Sequence, residues 1–169
     1  MRSLELRRHA KRDKTEDKLS PEGRAEAERV ARTLVGDYAV VFVSPAQRAA
    51  ETADLFVGTS EHVVVSGFVS EVEDRWRAAG KAAGSSRISA IREQDADLVA
   101  SETERLGGVL RDLQAKVPEG GRGLAVGHSP LIEAGVFGLT GKEIDPLSEC
   151  EGVLLVEDEG RYRVEQLRL

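Results

Sequence analysis

Cysteine, aromatic residues and long apolar runs are scarce in this chain, and each shortage excludes something. The single cysteine, Cys150, rules out an internal disulfide and suits a reducing compartment. Aromatics make up 4% of the residues, which argues against a surface that stacks nucleobases. Basic residues are outnumbered, with 24 Lys and Arg against 30 Asp and Glu and a formal charge of −6. Whole-protein attraction to nucleic acid or to an anionic membrane is therefore not expected, and an anion site must be a local concentration of positive charge. No segment approaches the roughly 20 apolar residues of a membrane span. The first seven residues, from Met1 to Arg7, lack the apolar stretch of a secretory leader, so the expected location is the cytoplasm. Histidine is scarce too: there are three, His9, His62 and His128, and the setting of each is informative.

The 169 residues, 40% apolar and 32% charged, fit one domain over 1–169 that can bury a core without metal or disulfide staples. The pattern predicts a first strand over residues 3–7 and a charged loop over 9–19. A helix follows from Ser20-Pro21, where serine caps free amides and proline suits the first helical position. Ala27, Val30, Ala31 and Leu34 form its apolar stripe and Gly36 its stop. The run 39–43 reads as a strand buried on both faces. Ser44-Pro45 repeats the helix-start signal, with the helix running toward Phe56, and residues 63–65 form another short strand. Residues 66–92, with Gly80 and Gly84-Ser85-Ser86, read as a polar excursion with some helix beside a site. Leu98, Glu102, Leu106, Leu110 and Leu113 mark a long amphipathic helix. Residues 124–126 form a strand, and Ser129-Pro130 gives the cap signal a third time. The segments 153–156 and 162–169 form a terminal hairpin. Strands alternating with helices imply an α/β three-layer sandwich, a mostly parallel central sheet flanked by helices.

His9 and His128 both lie just beyond predicted strand ends, and Ser44 precedes the helix that holds Arg48. In open α/β sheets, ligands gather outside the carboxyl ends of strands. Arg8, His9, Arg48 and His128 are thus expected to converge. Arg48 lies one turn into its helix, near the positive end, where anions are favoured. Guanidinium groups offer paired N–H donors to phosphate oxygens. Other chemistries fit less well. Gly127-His128-Ser129-Pro130-Leu131 lacks the last glycine of a serine-hydrolase elbow, and no histidine follows Ser129. A Cys-x5-Arg phosphatase loop would need arginine where Val156 stands. The histidines lack the short spacing of metal ligands. Gly120-Gly121-Arg122-Gly123 precedes a strand, which is the wrong side for a dinucleotide fingerprint. His62 reads as structural or exposed, Cys150 as a buried small residue, and the charges of residues 11–18 as a solvated loop, with substrate steering near His9 as the alternative role.

Four ordered blocks carry a resemblance: Leu4-Glu5-Leu6-Arg7-Arg8-His9-Ala10, Leu19-Ser20-Pro21-Glu22-Gly23-Arg24, Ser44-Pro45-Ala46-Gln47-Arg48-Ala49-Ala50-Glu51-Thr52-Ala53, and Val126-Gly127-His128-Ser129. With them the chain resembles the histidine phosphatase superfamily, also called phosphoglycerate mutase-like. The resemblance implies that His9 attacks phosphorus and carries a transient phosphohistidine. It further implies that Arg8, Arg48 and His128 complete the phosphate pocket, with no metal and no cofactor. A neutral imidazole is a competent nucleophile near pH 7, and the positive groups stabilise the transferring phosphoryl. The family commonly has a general acid in a Leu-x-Glu pattern. Val69-Ser70-Glu71 is the nearest match, with Glu73 and Asp74 as rivals. Ala10 stands where many members have glycine, as in the small phosphohistidine phosphatases, some of which manage without the acid. The expected activity is hydrolysis of a phosphate monoester or phosphohistidine. The expected partner is a phosphorylated small molecule or phosphoprotein. The alternatives are a non-catalytic phosphate-binding module and a mutase-like phosphotransferase.

Overall fold

Strand β1 (Arg2–Arg8) sorts the chain into two cores, because alternate side chains of a strand face opposite ways. The computed structural model describes residues 1–58 and 61–169. In it β1 pairs in parallel with β4 (Arg122–Gly127) and antiparallel with β5 (Gly152–Asp158). With β2 (Val40–Val43), β3 (Val63–Val64) and β6 (Arg161–Leu167) they form one six-stranded sheet in the order β3-β2-β4-β1-β5-β6. The first four strands run parallel, and β5 alone opposes the rest.

Leu4 and Leu6 point to one face. There, with Phe42, Ala125 and Leu155, they meet Leu110 and Leu113 of α5 (Ala96–Lys116) and Ile132 and Val136 of α6 (Leu131–Thr140). On the other face Val41, Val43, Leu124 and Val126 meet Ala27 and Val30 of α1 (Pro21–Ala31) and Ala49, Ala53 and Phe56 of α2 (Gln47–Val57). The result is the expected three-layer α/β sandwich. Helices α5 and α6 touch backbone to backbone: a Cβ on Gly138 would lie 1.8 Å from the Thr103 carbonyl oxygen.

Residues 66–92 are more helical than their composition suggests. They hold a 3-10 turn at Ser66–Phe68, then α3 (Glu73–Ala83) and α4 (Ile88–Gln94). Trp76, Ala79, Ile88 and Ile91 are too widely spaced to read as a stripe, but tertiary packing on Leu98, Val99 and Leu106 of α5 buries them together. Gly84 is the left-handed stop of α3, at φ 62°.

The three Ser-Pro signals part company. Ser20 is a true cap, accepting the Gly23 amide at 3.0 Å. Helix α2 starts later, at Gln47, with no cap from the side chain of its own N-cap residue Ala46, and α6 starts at Leu131 with none from Pro130. Helix α1 ends at Ala31, short of Gly36.

One buried ionic group bears on the site. Glu5 is 1% exposed, and its carboxylate accepts Arg7 Nε at 2.7 Å, the Tyr38 hydroxyl at 2.9 Å and the Arg122 guanidinium. Arg7 Nη1 then donates to the Cys150 carbonyl at 3.0 Å, tying the loop before β5 to the end of β1. Cys150 is fully buried, and burial pushes its thiol up to about 12, so it is inert as a nucleophile. No helix among the described residues is long and apolar enough to cross a membrane.

Candidate active site

Parallel pairing brings the carboxyl ends of β1, β2 and β4 to one edge. Arg8 is in register with Gly127, and Val43 with Val126. The His9 amide donates to the Gly127 carbonyl at 3.0 Å and the Ser44 amide to the Val126 carbonyl at 3.1 Å. His9, Ser44 and His128 therefore leave the sheet side by side. The two imidazole centroids are 5.1 Å apart, with the planes at 60°. Arg48, in the first turn of α2, reaches over both rings.

The hydrogen bonds assign the tautomers. His9 Nδ1 is 2.7 Å from the Ala10 carbonyl oxygen, which only accepts, so Nδ1 carries the proton. Its Nε2 lone pair faces the site and accepts Arg48 Nε–H at 3.3 Å. His128 is the reverse. Its Nδ1 accepts from Arg48 Nη2 at 3.2 Å, which puts its proton on Nε2, 2.6 Å from Ser44 Oγ. Ser44 also accepts the Ala46 amide at 3.3 Å. This explains why Ser44 does not cap α2: its hydroxyl orients His128 instead.

His9 and His128 are 7% and 8% exposed. Burial, followed by the charges of Arg48 and Arg8, pushes His9 down to about 4 despite the opposing bond to Ala10. Burial, then His9 and Arg48, pushes His128 down to about 3. Both rings are neutral at pH 7. Each histidine binds a proton more readily unfolded, at about 6.5, than folded. Their contribution to stability is thus complete above that range and is lost as pH falls through it toward 4. The expected slope is up to about 1.4 kcal/mol per pH unit for each ring. Urea midpoints between pH 7 and 4 check this, and His9→Ala should remove about half of that slope.

Arg8 is held from two sides. Its Nη1 donates to the Leu147 carbonyl at 2.7 Å, and its Nη2 lies 3.8 Å from Glu149. Its charge acts on both histidines. Behind it, buried Glu133 accepts the Leu147 amide at 2.9 Å and the Ser129 hydroxyl. Ser129 thereby braces the turn after His128 rather than capping α6. Burial raises the Glu133 carboxyl above its ordinary range.

Asp17 was not singled out by the sequence pattern, which reads residues 11–18 as solvated. It accepts Arg48 Nη1 at 2.6 Å and the Gln47 amide at 2.9 Å, so it both aims the arginine and caps α2. Glu51 and Thr52 pin the same loop, accepting the Leu19 amide at 2.7 Å and the Ala10 amide at 3.0 Å. Gly23 is required where α1 crosses it, since a Cβ there would lie 2.1 Å from the Lys11 carbonyl oxygen.

The three candidate acids are separated. A cavity of about 310 Å³ is lined by Arg48, His128, Val69, Ser70, Leu131 and Glu73. Glu71 is exposed in the turn before α3 and lines a different cavity, with Arg75, Ser101 and Arg105. Asp74 is exposed and pairs with Arg77 at 3.2 Å. Buried Glu102 anchors this segment by accepting the Ser70 hydroxyl, Trp76 Nε1 at 3.2 Å and Arg105 Nε at 2.5 Å. His62 lies elsewhere, 3.5 Å from Asp54.

The sequence profile of the histidine phosphatase superfamily (branch 1) matches residues 5–152. No curated protein matches in sequence. Among solved structures, phosphoglycerate mutase from Bacillus anthracis is similar at TM-score 0.73 and 20% identity, covering 98% of this chain and 92% of that one. Phosphoserine phosphatase from Entamoeba histolytica, in complex with 3-phosphoglyceric acid, gives 0.74 and 19% over 100% and 98%. The protein histidine phosphatase SixA, complexed with tungstate, gives 0.65 and 20% over 98% and 96%.

Proposed function

Because the chain belongs to the histidine phosphatase superfamily, branch 1, we propose that it is a phosphatase acting through a covalent phosphohistidine on His9. The observation that carries this reading is the His9 Nε2 lone pair, set by the Ala10 carbonyl, facing a guanidinium and a second imidazole at one sheet edge. Phosphate oxygens entering there take over the N–H groups of Arg48 that otherwise rest on the imidazoles, and Arg8 adds charge from the other side. His9 Nε2 forms a bond to phosphorus while the bond to the leaving group breaks. The departing atom keeps the electron pair and takes a proton from the general acid. Water then attacks phosphorus, passes a proton to the resulting carboxylate, and releases phosphate and neutral His9. The arginines supply the positive charge that this transfer needs.

Glu73 is the acid this reading favours, because it lines the cavity of Arg48 and His128 and Glu71 does not. Glu73→Gln should lower kcat on glycerol phosphate by about 100-fold, the lower range for a lost acid. The loss should be much smaller on p-nitrophenyl phosphate or a phosphohistidine peptide, whose leaving groups need little protonation. Glu71→Gln should stay within about twofold on all three, as a solvated side chain does. The reverse pattern would move the role to Glu71. The overall reading is tested with a radiolabelled phosphate ester, quenched in alkali. Acid-labile, alkali-stable label on the protein, discharged by water with release of phosphate, is expected. Stoichiometric binding without labelling or turnover would overturn it.

A further inference from the structure

A second cavity, of about 450 Å³, adjoins the first. Glu73 lines both, and Ser129 and Pro130 of the second directly follow His128 and precede Leu131 of the first. Its floor is apolar, with Trp76, Ile91 and Pro130, and its rim carries Arg77 and Lys81. Glu73, Arg77 and Lys81 stand at i, i+4 and i+8 on α3, hence on one side of the helix. Their backbone positions are about 6 and 12 Å along the axis from Glu73, at 1.5 Å per residue. Lys81 has no acidic partner among the described residues. Among the described residues Arg77 pairs only with Asp74, whose side chain is 97% exposed, and such a pair is worth little and exchanges readily.

We propose that this cavity holds the leaving part of the substrate, and that the substrate is a small-molecule phosphate ester whose alcohol carries a second anionic group, a carboxylate or phosphate, beyond an apolar spacer. This rests on the phosphatase reading, with Glu73 at the departing oxygen. The cavity follows from that position: the group beyond the scissile bond must pass Glu73, and the space past it is sized for a small organic ligand. The apolar floor takes the spacer. The two cations, one and two turns further on, take the anion.

Two probe pairs test the subsite separately from the chemistry. The first is 4-(2-carboxyethyl)phenyl phosphate against its neutral carboxamide, compared as kcat/KM. The second is the corresponding pair of non-hydrolysable benzylphosphonates, compared as Kd by calorimetry. The acid should be preferred by about fivefold or more in both, the scale of one to two solvent-exposed ion pairs. The preference should fall to near unity in the Arg77→Ala, Lys81→Ala double variant and invert in the Arg77→Glu, Lys81→Glu variant. Equal values for acid and amide in the wild type, or an unchanged preference in the double variants, would overturn the subsite. If the phosphonates show the preference but no ester is turned over, the subsite stands and the phosphatase reading falls.

Discussion

Replacing His9 with alanine should lower turnover of any phosphate ester on the order of 10⁴-fold or more, the scale seen when a covalent nucleophile is removed. No neighbour can take its place. His128 is the closest imidazole, but its lone pair is on Nδ1 toward Arg48 and its Nε2 proton is on Ser44. The thiol of Cys150 is buried and held protonated far above neutral pH. The variant should fold, because the strand-end bond of residue 9 is made by its backbone amide to Gly127 and survives the change. Loss of a buried neutral imidazole also removes an acid-side liability, so the variant should resist low pH better than the wild type. The measurement is paired: single-turnover release of phosphate, and label retained on protein after an alkaline quench. Both should vanish together. Label on a well-folded His9→Ala protein would transfer the nucleophile elsewhere, and equal turnover would end the assignment of His9 as nucleophile.

The same site shows where sequence reading succeeds and where it stops. His9 and His128 were legible because a parallel sheet puts residues that follow its strands at one edge, whatever their separation in the chain. Arg48 was legible from its place near the start of a helix, which the structure puts in the first turn of α2. The serines were not. Ser20, Ser44 and Ser129 share the same Ser-Pro pattern, yet only Ser20 caps a helix. Ser44 and Ser129 emerge at the sheet edge that carries His9 and His128, where His128 and Glu133 compete for their hydroxyls and win. Local propensity carries no record of such tertiary partners. Asp17 was hidden for a similar reason: among alternating charges, nothing in the spacing distinguishes the carboxylate that reaches Arg48 from those that reach only solvent. The separation of Glu71 from Glu73 turns on where α3 begins. That boundary depends on Trp76 and Glu102 meeting across 26 residues, a contact that no local window contains.

Arg48→Ala should be the second most damaging change, lowering kcat/KM by about 10² to 10³, the cost of losing one preorganised donor to the transferring group. Here the arginine also does a second thing. Among the described residues it is the only side chain bonded to both imidazoles, holding His9 Nε2 at 3.3 Å and His128 Nδ1 at 3.2 Å, with Asp17 holding it in turn. Its charge depresses both histidines. Removing it should raise both from about 4 and about 3, while leaving them below the ordinary value near 6.5, because burial is the larger cause and remains. The acid limb of kcat/KM, which reports the free enzyme, should move to higher pH with them. Arg48→Lys should recover the direction of the charge but little of the rate. A single ammonium cannot offer separate planar donors to two acceptors on opposite sides. Imidazole nitrogen chemical shifts followed across pH, alongside pH–rate profiles, separate this from a general loss of folding, which would release both rings to about 6.5 together. If the ring titrations stay where they are and the rate falls less than about tenfold, Arg48 is not the bridge. Phosphate positioning would then rest with Arg8, which the Leu147 carbonyl and Glu133 already brace from behind.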